Sequence, residues 1–339
     1  MKLVNDFSKD GRQYYKDLGF NDNQIEQIAK GFYNHLPKRE IEVYSDPKFD
    51  GFQMQEIRLA FEHGLSKKDV QIFADPKFHA SQMEELRRGL EKYNSPRILV
   101  FSSDYPQGKH SHQLSHKDIQ MIADTSFNSE QMGELVLGFR AGLSSQQVQC
   151  YMNPELNANQ MTIARYALLE GMSEEGVQFC INNDLICPRQ YHNGRYIYEE
   201  NTMIHEAALG FQNGLSEQQV QMYINDNFTH SQRAEMRWGL ENGLTMEQVE
   251  VYKNPAFGEY HMRELRTMME EGMDMEQVKY LATPDFDVHQ VREIRYGFEN
   301  GVTLDDIKDN ISCYMHPEEI MTLCDNIIEE MEQDMGGVE

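Results

Sequence analysis

The stretch Phe49–Phe78, FDGFQMQEIRLAFEHGLSKKDVQIFADPKF, runs from the end of one DPKF signature, at residues 46–49, to the end of the next, at residues 75–78. Nearly the same stretch returns at residues 127–156 as FNSEQMGELVLGFRAGLSSQQVQCYMNPEL. Repetition at a fixed period is typical of repeat architectures, which grow by adding units rather than by enlarging one core. The length and number of the repeated units therefore decide the fold.

Nine units can be aligned on the glutamine that precedes the recurring methionine, and six of the eight gaps between them are 29 residues long. The aligned residues are Gln24, Gln53, Gln82, Gln131, Gln160, Met203, Gln232, His261 and Gln290. The two longer gaps contain insertions, near 92–113 and 183–202. We predict an N-terminal cap over 1–20, a repeat array over 21–315, and a C-terminal capping helix and tail over 316–339.

Each unit carries the start and stop signals of two helices. Asp50 and Gln53 have the spacing of a capping box, which begins a helix, and Gly64 is typical of the position just after a helix end. Ser66 and Asp69 then form a second capping box. Two such short helices are marginal alone and must stack on their neighbours. The sequence predicts an all-α fold, an α-solenoid of about nine 29-residue helix-turn-helix repeats.

A glycine recurs inside the first helix of the unit. An interior glycine costs about 0.5–1 kcal/mol relative to alanine, so we expect the backbone of another helix to approach closely there. The column contains Gly31, Gly89, Gly138, Gly210, Gly239 and Gly297, with Ala60 and Ala167 at the same position in two units.

A glutamate and an arginine two residues apart, such as Glu56 and Arg58, also recur in the first helix. We expect the arginine of one unit to meet the glutamate of the next, in an ion-pair ladder that fixes the register of the repeats. The ladder is interrupted where Val136, Ile163 and Ala208 replace a charged residue. An alternative is that the arginines line a groove for an anionic ligand, although a glutamate four residues after each would neutralise such a groove.

The charge of the chain narrows the choice of partner. With 31 basic and 56 acidic residues the net charge is −25, which argues against direct binding to nucleic acid or to an anionic membrane and favours a protein partner. The chain lacks the apolar run of about 18 residues that a membrane span needs. Its five cysteines form no CxxC pair and leave one over, which indicates a reducing compartment, so we expect a cytoplasmic protein. We expect neither a metal nor a cofactor.

The two insertions are candidate binding elements. The first is locally basic and holds His110 and His112, whose spacing with His116 permits a metal site, although a solvated loop without a neighbouring carboxylate is the better interpretation. In the second, Asn193-Gly194 predicts a β-hairpin. Three residues of this hairpin are proposed to contact a partner. They are Tyr191, Arg195 and Tyr196.

One column of the first helices, directly after the arginine, is apolar where a solenoid would be expected to place polar residues. Two interpretations stay open: neighbouring first helices bury the column, or it forms an apolar stripe that binds a partner. The candidate binding residues in it are Leu137, Tyr166, Leu209, Trp238 and Tyr296.

The unit QMxEIRxGFExGLSxxQVxxY resembles two-helix repeats of uncharacterised bacterial proteins associated with mobile elements. It is similar to tetratricopeptide repeats in architecture only, because the unit has 29 rather than about 34 residues. The resemblance implies stacked helix pairs that present a protein-binding surface. Because no catalytic motif is found, the leading hypothesis is a non-catalytic scaffold that binds a protein partner. The alternatives are an acidic inhibitor that mimics nucleic acid, directed at a host or defence nucleoprotein, and a sensor of a small anionic ligand.

Overall fold

The computed structural model describes residues 2–91, 114–185, 190–192, 195–197, 203–225 and 227–336. These residues form twenty helices and one two-stranded antiparallel sheet, so the predicted all-α, solenoid-like fold is confirmed. Contacts divide the chain into two compact units, Met1–Glu199 and Glu200–Glu339.

In the part of the first unit that the structure describes there are eleven helices and the hairpin. The helices are α1 (Lys9–Asp17), α2 (Asp22–Tyr33), α3 (Lys38–Tyr44), α4 (Gly51–Glu62), α5 (Lys67–Val70), α6 (Ala80–Leu90), α7 (His116–Ile122), α8 (Ser129–Arg140), α9 (Ser145–Tyr151), α10 (Ala158–Leu169) and α11 (Glu174–Asn182). Strands β1 (Gln190–His192) and β2 (Arg195–Ile197) pair with Tyr191 opposite Tyr196, as the hairpin signal predicts.

The second unit contains nine helices in its described residues. They are α12 (Met203–Gln212), α13 (Glu217–Tyr223), α14 (His230–Glu241), α15 (Met246–Tyr252), α16 (Glu259–Glu270), α17 (Met275–Leu281), α18 (Val288–Glu299), α19 (Leu304–Asn310) and α20 (Pro317–Gly336).

The first helices of successive repeats pack side by side. In the first unit α2, α4, α6, α8 and α10 contact one another in order, and in the second unit α12, α14, α16 and α18 do the same. The second helix of each repeat packs against the first helix of its own repeat, as α9 does on α8 and α15 on α14. Each unit is therefore a layer of first helices with second helices packed against it.

The aligned glutamine connects one repeat to the next as well as capping its own helix. At Gln53 the side-chain oxygen Oε1 accepts a hydrogen bond from the Asp50 backbone N–H at 2.7 Å. The side-chain amide nitrogen donates to the carbonyls of Pro76 at 3.1 Å and Phe78 at 2.6 Å, in the turn that leads into the following repeat. Equivalent bonds to that turn are made by Gln24, Gln131, Gln232 and Gln290. A residue that identifies the period therefore also holds the repeats in register.

The glycine column faces a side chain, which corrects the expectation of a close helix backbone. A Cβ atom added at Gly239 would lie 2.2 Å from the hydroxyl oxygen of Tyr252. That hydroxyl donates a hydrogen bond to the Glu235 carbonyl at 3.2 Å. The same relation joins Gly31 to Tyr44, Gly138 to Tyr151 and Gly210 to Tyr223. In these four repeats the glycine therefore makes room for a buried tyrosine of the second helix, whereas Gly89 faces Ile119 and Gly297 faces Cys324.

The repeat register extends into the two segments that the sequence assigns to caps. In α1, Ser8 accepts a hydrogen bond at the N-cap and Tyr15 is fully buried, in the positions that a second helix gives to its capping serine and its tyrosine. At the start of α20 the His316 backbone N–H donates to the Glu319 carboxylate at 3.0 Å, and Ile320 is buried. Helix α20 therefore takes the register of a further first helix and packs on α18.

Candidate functional site

The ion-pair ladder exists, but each arginine contacts the glutamate of the preceding repeat rather than of the following one. Arg87 donates through Nε to Glu56 at 2.9 Å, and Arg165 donates to Glu134 at 3.0 Å. In each case the arginine lies 31 residues after its glutamate. The same contact, at 2.9–3.0 Å, joins Arg237 to Glu206, Arg266 to Glu235 and Arg295 to Glu264 in the second unit.

The ladder arginines are neutralised within the fold. Arg237 also donates to Glu241, four residues later, at 2.8 Å, and Arg266 donates to Glu270 at 2.7 Å. At Arg165 burial disfavours the charge, but the Glu134 carboxylate outweighs it and raises the pKa. Removing one member of such a buried pair typically costs about 3–5 kcal/mol. These contacts favour a structural role for the ladder over an anion-binding groove.

In the first unit, the apolar column after the ladder arginine is half-buried. Leu137 and Tyr166 keep part of their surface accessible between neighbouring first helices. The Tyr166 ring lies beside the guanidinium of Arg165, with 4.5 Å from Cζ to the ring centroid. In this unit the column is therefore partly buried and partly accessible. Burial between neighbouring first helices and an accessible apolar stripe each describe part of it.

In the second unit the column becomes more exposed towards Trp238. Leu209 is half-buried, whereas Trp238 keeps 39% of its surface exposed. The guanidinium carbons of Arg237 and Arg266 lie 5.6 and 5.9 Å from the Trp238 ring centroid, within the range of cation–π attraction. Because buried glutamates hold both arginines, they also hold the exposed indole in a defined position.

Tyr296 is also exposed, at 41%, but its hydroxyl group is engaged. The carboxylate of Asp325, in α20, lies close enough to raise the pKa of Tyr296 by its charge and by a hydrogen bond. The ring is thus accessible while its polar end is committed to α20. Tyr296 therefore has an exposed ring but no free hydroxyl for a partner, and Trp238 is the better candidate for a binding residue.

The remaining candidates lie wholly or partly outside the described residues. His110 and His112 belong to a segment that the structure does not describe. Tyr191, Arg195 and Tyr196 have described backbone in β1 and β2, but their side chains are not described. Within the described residues no group of three His, Cys, Asp or Glu side chains is arranged to hold a metal. In the same residues no helix is long and apolar enough to span a membrane.

A cleft opens in the layer of first helices of the first unit, between α6, α8 and α10. Its volume is about 460 Å³. The lining includes Glu85, Arg88, Gly133, Val136, Leu137, Arg140 and Ala158. Burial raises the pKa of the Glu85 carboxyl, and the nearby guanidinium of Arg88 only partly offsets it. Leu137 had been assigned to the apolar column from the sequence, but the cleft beside it had not been predicted.

Comparison with protein-family models, with curated proteins and with solved structures finds no match. The resemblance to bacterial two-helix repeats therefore stays a prediction, and the function has to be inferred from the geometry of the chain itself.

Proposed function

We propose that the protein is a non-catalytic helical-repeat scaffold that binds a protein partner through the accessible face of its first helices. The observation that carries the proposal is the 39% exposed Trp238, whose ring centroid lies 5.6 and 5.9 Å from two guanidinium groups that buried glutamates fix. A rigid, partly exposed aromatic ring with a polar surround is typical of interface hot spots.

The distribution of charge favours this proposal over mimicry of nucleic acid. Several carboxylates of the first helices point into the fold, where Glu206 and Glu235 are only 1% exposed and pair with arginines. A mimic needs its carboxylates on the surface, in a continuous array that a basic cleft can bind. Such paired glutamates add to the net charge without contributing to an acidic surface.

Site-specific photo-crosslinking tests the proposal. A photoreactive phenylalanine derivative placed at position 238 should crosslink a protein from the native cytosol. The same group at position 314, where Tyr314 is 94% exposed and outside the column, should not. In a pull-down, Trp238→Ala should then reduce recovery of that protein, and Tyr314→Ala should leave it unchanged. A hot-spot loss of about 2 kcal/mol corresponds to roughly a 30-fold weaker Kd.

Two results would count against the proposal. One is recovery of the same protein at equal yield by Trp238→Ala, with the melting temperature of the wild type. The other is a binding constant that falls steeply as salt rises and is unchanged by Trp238→Ala, since that combination is expected of an acidic mimic and not of a contact anchored by an aromatic ring.

A further inference from the structure

The Glu85 position of the ladder has no arginine where its counterparts have one or two. One arginine reaches each of Glu56, Glu134 and Glu206, and two reach each of Glu235 and Glu264. In the second unit, Glu235 accepts hydrogen bonds from Arg263 at 2.9 Å and Arg266 at 3.0 Å. These arginines lie 28 and 31 residues after the glutamate. Glu264 likewise accepts hydrogen bonds from Arg292 at 2.7 Å and Arg295 at 3.0 Å. The residues at the two corresponding positions for Glu85 are Gly133 and Val136.

The first of these positions lies against the Glu85 carboxylate, and the second lines the same cleft as Glu85. A Cβ atom added at Gly133 would lie 3.5 Å from a carboxylate oxygen of Glu85, and Val136 lines the same cleft. At equivalent places the second unit has long arginine side chains. We call this space the Glu85 cleft; it lies where two arginine side chains are missing, and its volume is about 460 Å³.

The charge of Glu85 is weakly compensated within the described part of the chain. Arg88, on the same helix, approaches Glu85 at 3.3 Å but makes its shorter contact, 2.6 Å, with Glu84. Arg140 also lines the cleft, and its guanidinium donates to the Arg88 backbone carbonyl. A half-buried carboxylate whose cationic partner is 3.3 Å away and pairs more closely with another glutamate is incompletely neutralised, and a guanidinium supplied from outside would relieve that cost.

We propose that the Glu85 cleft binds an arginine side chain of a protein partner, whose guanidinium takes the place of the missing ladder arginine. The proposal rests on the proposed function, because it names the chemistry of the same partner. Leu137 and Ala158 line the cleft and supply apolar surface for the methylene groups of the arginine. The net charge of −25 favours the approach of a basic protein.

Arginine fits the cleft better than lysine or an anion. The five ladder carboxylates paired at 31-residue spacing are all bound by guanidinium groups, whose planar fork matches a carboxylate. An anion would have to approach Glu85, Glu130 and Glu134, which all line the cleft. The anion could be attracted by the guanidinium groups of Arg88 and Arg140, but Arg88 already pairs with Glu84.

Glu293 provides a matched comparison inside the same chain. It is a ladder glutamate that also lacks arginines at the two later positions, where Met321 and Cys324 stand instead. There a buried cysteine of α20 stands at one of the two positions, with its sulfur 3.8 Å from the Glu293 backbone carbonyl oxygen. Substituting Glu293 therefore makes the same chemical change as substituting Glu85 without altering the Glu85 cleft.

Binding of short peptides to the full chain tests the proposal. The probes are acetyl-Gly-Arg-Gly-amide and its citrulline analogue, which has the shape of arginine without the charge, measured by calorimetry and by saturation-transfer NMR. We expect saturable binding of the arginine peptide and at least about tenfold weaker binding of the citrulline peptide, a difference of about 1.4 kcal/mol. Glu85→Gln and Val136→Arg should each weaken binding at least about tenfold, whereas Glu293→Gln should leave it unchanged.

Three outcomes would overturn the proposal. They are no saturable binding, equal binding of the two peptides, and arginine binding that survives both Glu85→Gln and Val136→Arg. Competition with inorganic phosphate serves as a further arm, because phosphate binding that requires Arg88 and Arg140 would assign the cleft to anions instead. None of these outcomes would affect crosslinking at position 238, so failure here can be told apart from failure of the proposed function.

Discussion

Replacing Gly239 by alanine should destabilise the second unit, although alanine is the better helix former. The new Cβ atom would lie 2.2 Å from the Tyr252 hydroxyl oxygen. Overpacking of this kind costs about 1–3 kcal/mol, and displacing the hydroxyl from the Glu235 carbonyl, 3.2 Å away, costs about 1 kcal/mol more. The higher helix propensity of alanine offsets about 0.5–1 kcal/mol of this loss. We expect a net loss of about 2 kcal/mol in the free energy of unfolding.

The chain itself indicates how to rescue this variant. In the repeat that has Ala60 at the glycine position, the residue at the tyrosine position is Phe73. Tyr252→Phe alone should cost about 1 kcal/mol for the lost hydrogen bond. In the double variant Gly239→Ala/Tyr252→Phe, the nearest remaining neighbour of the new Cβ would be the Leu244 side chain at 3.2 Å. The double variant should therefore lose no more than about 1 kcal/mol, a coupling of about 2 kcal/mol.

Urea unfolding followed by circular dichroism measures all four members of this double-mutant cycle. Gly133→Ala is the control, because its Cβ would meet Glu85 atoms at ordinary contact distances of 3.5 and 3.7 Å. It should be stabilising by about 0.5–1 kcal/mol. If the effects of Gly239→Ala and Tyr252→Phe add within about 0.5 kcal/mol, the two columns do not complement each other and the reasoning fails.

Three further predictions concern stability. Val136→Arg should restore the ladder at Glu85 and raise the free energy of unfolding by about 1–2 kcal/mol; an unchanged urea midpoint would contradict it. Burial lowers the pKa of His261. Below about pH 6.5 the unfolded chain therefore binds a proton at this histidine more readily than the folded chain does, and the free energy of unfolding decreases as the pH is lowered. His261→Gln, the residue of most other repeats, should remove this part of the pH dependence, and equal slopes in urea titrations from pH 7.5 to 5 would refute it. Ending the chain at His316 removes buried Ile320 and Cys324 and should cause self-association in sedimentation experiments, unless a monomer with the wild-type melting temperature is found.

Most of the fold could be predicted because its signals are local. The capping boxes at Asp50–Gln53 and Ser66–Asp69 form as their spacing indicates, and Gly64 has the positive φ, 85°, that a helix C-terminus favours. The partner of the glycine column was missed for a different reason. A glycine indicates that something approaches closely, but the contacting tyrosine hydroxyl belongs to another helix, and only the three-dimensional packing identifies it.

The candidate site was harder to predict because it arises where other residues replace the two ladder arginines. The sequence predicts that Val136 interrupts the ladder, but it does not show which glutamate loses its partner. That assignment requires two facts that the structure supplies. Each arginine contacts the glutamate 31 residues before it, and the insertion near 92–113 separates Glu85 from Val136 without changing this pairing.

Binding of a partner's arginine, as we propose, would account for a half-buried glutamate that has no ladder arginine of its own. The ladder positions with arginine show that the fold can neutralise a buried glutamate, since Arg165 does so for Glu134. At Glu85 both neutralising side chains are absent, as they are at Glu293, and at Glu85 a cleft of about 460 Å³ lies beside the carboxylate. Such departures are expected where function opposes stability. The half-buried Glu85 carboxylate has a long contact with Arg88, which pairs more closely with Glu84. A guanidinium from outside the chain would neutralise it better, and the proposed partner should therefore carry an exposed arginine.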